Sequence, residues 1–301
     1  MTKNFYYLAI VLIAMCISQK GWAQQAYAAL SEDYRTLTFY YDNNKTERNG
    51  RALGPFLNVN CTKEWNDHKH MVTTVVFDKS FDAYHDLSST AFWFSNFLSL
   101  TEIRGIENLH TEKVGDMTSM FARCFALKSV DISGFEHFGK TVAMFHSCYS
   151  LSTIYADEYC RLYGDQIFAN CFNLEGGQGT EYSADKVNGD YAHVDGLNGP
   201  GYFTLKGTTA TIPPRNQAYA AFDADGHTLT FYYDKNKKVR DGMGFGSLID
   251  YGSYENIQPW TVSKPWDPNY RGDSIVAIVF DTSFSEYAGV TSTNAFFLRP
   301  L

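Results

Sequence analysis

The sequence predicts an α+β protein in which a short repeat solenoid of three to four coils is flanked by two β-rich modules, the second a duplicate of the first. Three observations predict this architecture: a Phe-x-x-Cys-x-x-Leu pattern that recurs every 23 or 24 residues, a long internal duplication, and strand-like alternation within each copy. Repeats of this length are too small to bury their own apolar face, so neighbouring repeats must stack.

The repeated apolar positions define the predicted interior of the solenoid. They are Phe121, Cys124, Leu127, Phe145, Cys148, Leu151, Phe168, Cys171 and Leu174. An earlier copy without cysteine begins at Phe94. Strands in a stack lie about 4.8 Å apart, whereas a disulfide needs Cβ atoms about 3.8 Å apart. We therefore expect the repeated cysteines to be free structural thiols, although disulfide pairing remains the alternative.

Each repeat is expected to contain one short strand and one short helix, as leucine-rich repeats do. The predicted strands follow Leu100, Leu127 and Leu151. Residues 116–121 are predicted to form a short helix with an aspartate N-cap. After Leu174 the pattern gives way to a glycine-rich stretch, which is predicted to be the cap that seals the solenoid core.

The flanking modules are recognised by a duplication. Residues 25–42 read QAYAALSEDYRTLTFYYD and residues 217–234 read QAYAAFDADGHTLTFYYD. The match resumes with VVFDKSF at 75–81 and IVFDTSF at 278–284. Alternating β-branched and aromatic residues around a polar turn predict that each copy opens with a β-hairpin. The apolar run at 72–77, like its counterpart in the second copy, is predicted to be a strand that is buried on both faces.

The N-terminus has the features of an export signal. Lys3 precedes an apolar run over residues 5–18, and small residues precede a predicted cleavage between Ala23 and Gln24. Acylation at Cys16 is the alternative. No later segment is apolar and long enough to span a membrane. The predicted location is therefore secreted or on the surface of the bacterial envelope.

These signals divide the chain into five parts. They are a signal peptide (1–23), a β-rich module (24–90), the repeat solenoid with its cap (91–206), a linker (207–216) and a second, truncated β-rich module (217–301). The formal net charge of −8 argues against a nucleic-acid partner, which requires basic groups to neutralise phosphates. No pattern indicates a cofactor, a metal site or a catalytic nucleophile.

Two repeats, at 120–127 and 144–151, have the sequence Met-Phe-x-x-Cys-x-x-Leu, and Pro200-Gly201-Tyr202-Phe203-Thr204 closes the repeat region. In these motifs the chain resembles the BspA-like leucine-rich-repeat surface proteins of gut and oral bacteria. The resemblance implies an exported or cell-surface protein, discussed in that family as an adhesin, with no established enzyme activity. The implied partner is a protein or glycan at the cell surface or in the host matrix.

Polar residues that alternate with the inward leucines form the predicted ligand surface. They are Lys128, Ser129, Asp131, Ser152 and Thr153. A second candidate is the RGD tripeptide Arg271, Gly272 and Asp273, which integrins recognise and which an ordinary polar turn also explains. The alternative function is a structural envelope spacer, or a truncated family member without a specific ligand.

Two further motifs are interpreted as structural. Residues 134–141 satisfy the GxxxxGK[ST] pattern of a phosphate-binding loop, but bulky Phe135 and Phe138 occupy positions where the backbone would wrap a phosphate. The Asp67-His68-Lys69-His70 run lacks further spaced ligands for a metal.

Overall fold

The fold is given by a computed structural model. It describes residues 23–56, 68–208, 216–224, 226–237, 239–240, 242–244 and 277–286. Most of the predicted export signal, with Cys16, lies outside the described residues, as do Cys61 and the Arg271-Gly272-Asp273 tripeptide. The boundaries of the five predicted parts remain predictions.

The first sheet joins the N-terminal module to the first repeat. Its order is β1-β2-β3-β4, and the strands are β1 (Gln25–Leu30), β2 (Thr36–Asp42), β3 (Thr74–Phe77) and β4 (Glu102–Arg104). The first two strands form the expected antiparallel hairpin, and the other two add in parallel. Because β4 comes from the first repeat, the module and the repeats share one sheet.

Strand β3 is buried on one face, not on both faces as its apolar sequence predicts. Val75 and Phe77 are buried, whereas Thr74 and Val76 are half-buried. Side chains of a strand alternate between the two faces of its sheet. Only the inner face of this sheet packs on the core, so the outer side chains remain partly accessible.

A second sheet is formed by the later repeats. It contains β5 (Ser129–Asp131), β6 (Thr153–Ala156) and β7 (Phe203–Leu205), all parallel and in that order. Each of the first two strands begins two residues after the leucine that predicts it. Within residues 68–208, no strand pairing joins β4 to β5. The strand side of the stack is therefore divided into two sheets.

The segment predicted to be a helix, residues 116–121, is a run of tight turns. The N–H of Met120 donates to the carbonyl of Met117 at 3.1 Å, but the next N–H, of Phe121, donates to Met144 of the following repeat at 2.9 Å. An α-helix uses each of these N–H groups for a bond four residues back along the same segment. A segment whose alternate backbone N–H groups donate to the neighbouring repeat cannot be an α-helix.

The same turn geometry recurs in each repeat. Backbone φ is positive two residues before and two residues after each repeated phenylalanine, at Phe92, Asn96, Ser119, Arg123, Ala143, Ser147, Gln166 and Asn170. A positive φ is the conformation that position i+2 of a type II turn requires, so these residues fit tight turns and not a helix.

The α part of the predicted α+β class is wrong for the described residues, which are β-rich. Their helices are 3-10 turns at Lys79–Ala83, Ile106–Asn108, Gly189–Tyr191 and Thr282–Glu286. None of the helices in the described ranges has the length and apolar character needed to cross a membrane.

The repeated phenylalanines form one interior column. The rings of Phe94, Phe121, Phe145 and Phe168 are fully buried, and successive centroids are 5.5, 5.4 and 6.1 Å apart. These separations fall in the range of favourable aromatic contacts. The column lies in the same apolar core as Phe39 of the first module.

The repeated cysteines are free thiols, and each donates a hydrogen bond to the carbonyl of the column phenylalanine in the preceding repeat. The hydrogen bonds are Cys124 Sγ to Phe94 O (3.2 Å), Cys148 Sγ to Phe121 O (3.0 Å) and Cys171 Sγ to Phe145 O (3.0 Å). Burial raises the pKa of Cys148 to about 12. The thiol therefore stays protonated at neutral pH and keeps its donor.

The glycine-rich segment that was predicted to be the cap folds around one buried carboxylate. Asp195 accepts hydrogen bonds from the backbone N–H groups of Gln178 (2.8 Å), Thr180 (3.0 Å) and Gly201 (3.2 Å), and from the Thr180 hydroxyl (2.7 Å). A buried carboxylate with four donors is well satisfied and fixes the loops that supply them. Tyr202 then packs edge-on against Phe168.

The second module repeats three strands of the first sheet, while its fourth strand lies on the opposite edge. Its order is β10-β8-β9-β11, and the strands are β8 (Gln217–Phe222), β9 (Thr228–Asp234), β10 (Met243–Gly244) and β11 (Ala277–Phe280). The first pair is again an antiparallel hairpin, and β11 pairs in parallel with β9 as β3 pairs with β2.

Both modules contain the same Tyr-Asp-Arg cluster. Tyr27 donates to Asp42 at 2.6 Å, and Arg48 donates to both residues at 2.5 Å. The second module has the same bonds among Tyr219, Asp234 and Arg240. The arginines lie beyond the matching segments, and each follows its aspartate by six residues.

Candidate functional site

The five residues of the predicted ligand surface lie in, or directly before, two adjacent strands of the second sheet. Ser129 and Asp131 belong to β5 and Thr153 belongs to β6, while Lys128 and Ser152 directly precede these strands. Ser129 pairs with Thr153 across the sheet, and the Ser152 hydroxyl donates to the Lys128 carbonyl at 3.1 Å. Lys128 and Ser129 are exposed and the other three are half-buried.

Asp131 is held in place by neighbours that also set its charge. It accepts hydrogen bonds from the Ser133 N–H at 3.0 Å and hydroxyl at 2.6 Å, and it forms an ion pair with Lys206. Partial burial favours the protonated carboxyl, but the hydrogen bonds and the positive charge of Lys206 outweigh it. The pKa of Asp131 therefore lies below its usual value, and the side chain is an anion at neutral pH.

Two residues of this surface were missed by the sequence analysis. Tyr155 pairs with Asp131 on one side and with Thr204 on the other. The Lys206 ammonium lies 5.5 Å from the centroid of the Tyr155 ring, within the range of a cation–π interaction. Side chains alternate between the two faces of a strand, so Tyr155, two residues after Thr153, is predicted to point outward as Thr153 does. No local signal predicts Lys206, because β7 follows the cap in the sequence and pairs with a strand about fifty residues earlier.

We call this surface the strand face. It consists of Lys128, Ser129, Asp131, Ser152, Thr153, Tyr155 and Lys206. Its side chains offer hydroxyl groups, one aromatic ring and charges of both signs. These groups can recognise a partner by hydrogen bonding and stacking.

The phosphate-loop pattern at 134–141 is part of the stack. The backbone N–H groups of Glu136 and His137 donate to the Thr111 hydroxyl at 2.8 and 3.3 Å, and the Lys140 N–H donates to a carbonyl of the preceding repeat at 3.1 Å. A phosphate loop presents its backbone N–H groups to the ligand. Here they already bind protein, so the segment is not arranged as a phosphate loop.

The remaining candidates do not converge on the strand face. His68 stacks on Tyr34 with ring centroids 3.8 Å apart, while Asp67 lies outside the described residues.

Comparisons with known proteins add little to this geometry. No protein-family model matches the chain, and no curated protein matches it. Among solved structures, the chain is similar to the leucine-rich repeat protein TpLRR of T. pallidum, with 13% sequence identity, 52% of this chain and 79% of that chain covered, and a TM-score of 0.26. A likeness at this level carries no argument about the present chain.

Proposed function

We propose that this protein is an exported, non-catalytic binding module whose stacked repeats form a short leucine-rich-repeat solenoid. The strand face carries the proposal, because it groups polar, charged and aromatic side chains on adjacent strands of one sheet. Its partner is a protein or a glycan at the cell surface or in the host matrix. Membership of the BspA-like family belongs to the same proposal and rests on the Met-Phe-x-x-Cys-x-x-Leu motif.

The scaffold beneath the strand face supports a binding role. Val130 and Ile154 lie between its outward residues and are buried in the core. Backbone hydrogen bonds join β5 to β6 and β6 to β7. A surface fixed in this way loses little conformational entropy when it binds, which favours affinity. Aromatic residues such as Tyr155 are also enriched at protein interfaces.

The proposal is tested with immobilised fibronectin, collagen and mucin as probes and the purified chain in solution. We expect saturable binding to at least one probe. Thr153→Arg places a bulky cation in the middle of the strand face and is expected to weaken that binding at least tenfold. Thr118→Arg is the matched control, because Thr118 is half-buried in the turn segment of another repeat. The control is expected to bind within twofold of the native chain.

Circular dichroism and thermal unfolding establish that both variants are folded. Equal weakening by the two substitutions would show that the strand face is not the contact surface. Absence of saturable binding to all three probes would support the second candidate, a structural spacer in the envelope. That candidate is favoured by the single apolar core, which continues from Ala28 to Phe203.

Export is tested separately by mass spectrometry of the mature N-terminus after expression in a bacterial host. We expect a chain that begins with Gln24. An acylated N-terminal Cys16 would instead support lipidation, and an intact Met1 would contradict export.

A further inference from the structure

Two histidines and a glutamate from neighbouring turns meet on a side of the stack that the strand face does not include. They are His85, His110 and Glu112, whose potential ligand atoms all lie within 4.8 Å of one another. The imidazole rings stack with centroids 4.2 Å apart, and His85 Nδ1 lies 2.8 Å from Glu112 Oε1. His85 lies about one repeat before His110 and Glu112 in the sequence, so stacking brings the three residues together.

Two more carboxylates surround His110. Its Nε2 lies 3.0 Å from Asp82 Oδ1, and its Nδ1 lies 3.5 Å from Glu136 Oε1. In metal sites, a histidine ligand commonly binds the ion with one ring nitrogen and donates the other N–H to a carboxylate. Whichever ring nitrogen of His110 binds a metal, a carboxylate lies close enough to accept a hydrogen bond from the other ring nitrogen.

The backbone that carries the cluster is anchored in the core. Leu109 and Thr111, on either side of His110, are buried, and Leu87 lies two residues after His85 and is also buried. The ligand side chains themselves are accessible: 52% of the His85 side chain, 36% of Glu112 and 20% of His110 are exposed. An ion can therefore enter from solvent and keep a water molecule as a further ligand.

The ligand set indicates which ion fits. Imidazole and carboxylate together suit Zn²⁺ and related transition metals, whereas Mg²⁺ and Ca²⁺ prefer oxygen ligands alone. With bonds of about 2.0 Å, tetrahedral ligand atoms are about 3.3 Å apart. Atoms already within 4.8 Å of one another reach this spacing by small rotations of partly exposed side chains. The excess of carboxylates around the histidines also attracts cations.

We propose that His85, His110 and Glu112 bind one zinc-type divalent cation per chain, with Asp82 or Glu136 orienting the His110 ring. The site goes beyond the proposed binding function, since its residues are separate from the strand face. Bound metal connects two successive turns near the junction of the first module and the repeats.

Isothermal titration with Zn²⁺ alone tests the site in the full chain. We expect one saturable ion per chain and a rise in the unfolding temperature with Zn²⁺, since a ligand that binds the folded state stabilises it. The variants His85→Gln and His110→Gln are each expected to lose at least tenfold in affinity. His70→Gln is the matched control, because His70 is exposed and is not one of the clustered residues. It is expected to bind within twofold of the native chain.

A second readout identifies the ligands directly. On addition of Zn²⁺, the NMR signals of the His85 and His110 rings are expected to shift together, while those of His193, buried in the cap, stay in place. Absence of a one-to-one binding event, or unchanged affinity in the folded double variant His85→Gln/His110→Gln, would overturn the proposal. Comparable saturation by Mg²⁺ would also overturn it, because it would indicate general attraction to carboxylates.

Discussion

At the scale of single residues, Thr90 and Thr141 occupy the same position of two repeats and have different hydrogen bonding. Each lies four residues before its column phenylalanine and is fully buried. The Thr141 hydroxyl donates to the Tyr163 carbonyl at 2.8 Å. Among the described residues, the Thr90 hydroxyl is the only buried side-chain N or O atom that has no partner. A buried polar group without a partner costs free energy that a methyl group of the same size does not.

The two threonines therefore predict opposite effects of one substitution. Thr90→Val is expected to raise the free energy of unfolding by about 1 kcal/mol, because it removes an unsatisfied hydroxyl. Thr141→Val is expected to lower it by about 1 kcal/mol, because it leaves the Tyr163 carbonyl without its donor. Urea unfolding of both variants measures the difference. Equal shifts in the same direction would contradict this assignment of the two hydroxyls.

At the scale of elements, the repeats approach each other closely on their turn side. A Cβ atom added to Gly139 would lie 2.2 Å from the backbone of Gly115 in the preceding repeat. The Lys140 and Asp116 backbones pair at the same place. The close contact between the two repeats therefore requires a glycine at position 139. This requirement explains the second glycine of the phosphate-loop pattern.

A pair of glycine substitutions tests this contact. Gly139→Ala is expected to lower the free energy of unfolding by about 2–3 kcal/mol, since backbone atoms of a packed neighbour must move. Gly134→Ala is the matched control in the same pattern, because a Cβ atom there meets nothing within 4 Å. Its expected effect is below about 1 kcal/mol. Thermal unfolding measures both, and a tolerated Gly139→Ala would contradict the close approach.

The spacing of Phe, Cys and Leu is enough to predict which side chains fill the repeats, because apolar residues at a constant period must share an interior. It does not predict the turns. Asn96 and Asn170 favour positive φ, but Phe92 and Arg123 adopt the same backbone without a local signal. Their conformation is set by hydrogen bonds to the next repeat, which a single segment does not show.

The surface sites show the same division between local and long-range information. Alternation within β6 is sufficient to place Thr153 on the strand face, whereas Lys206 arrives from a strand beyond the cap. His85, His110 and Glu112 come together because stacked repeats align residues about one period apart. Repeats aligned in register place these residues together, whereas the apolar pattern alone does not indicate the cluster.

At the scale of the whole molecule, the duplication repeats an electrostatic cluster as well as a sheet. Burial opposes the charge on Asp234, but hydrogen bonds from Tyr219 and Arg240 outweigh it and lower its pKa to about 2. The pKa of Asp42 in the first module is lowered by the equivalent partners, again against burial. Both modules therefore depend on an ionised aspartate.

Acid is accordingly expected to destabilise both modules. A carboxyl whose pKa is lower in the folded state stabilises the fold fully above about pH 4, and this contribution is lost as the pH falls towards 2. For Asp234 the loss is about 2 kcal/mol. Urea unfolding at a series of pH values between 5 and 2 measures it. Asp234→Asn is expected to remove this part of the pH dependence, and an unchanged acid profile in that variant would contradict the assignment.

The strands β4 and β5 belong to different sheets and do not pair, and this has a mechanical consequence. On the turn side, backbone hydrogen bonds cross from the first repeat to the second at Thr90, Phe92, Phe94 and Asn96, but on the strand side of residues 68–208 no pairing crosses the same boundary. Backbone pairing across this boundary therefore lies on one side only, although the apolar core and the side-chain bonds between Thr111 and Glu136 also cross it. The molecule should yield first by bending open along this line, with the turn side as the hinge.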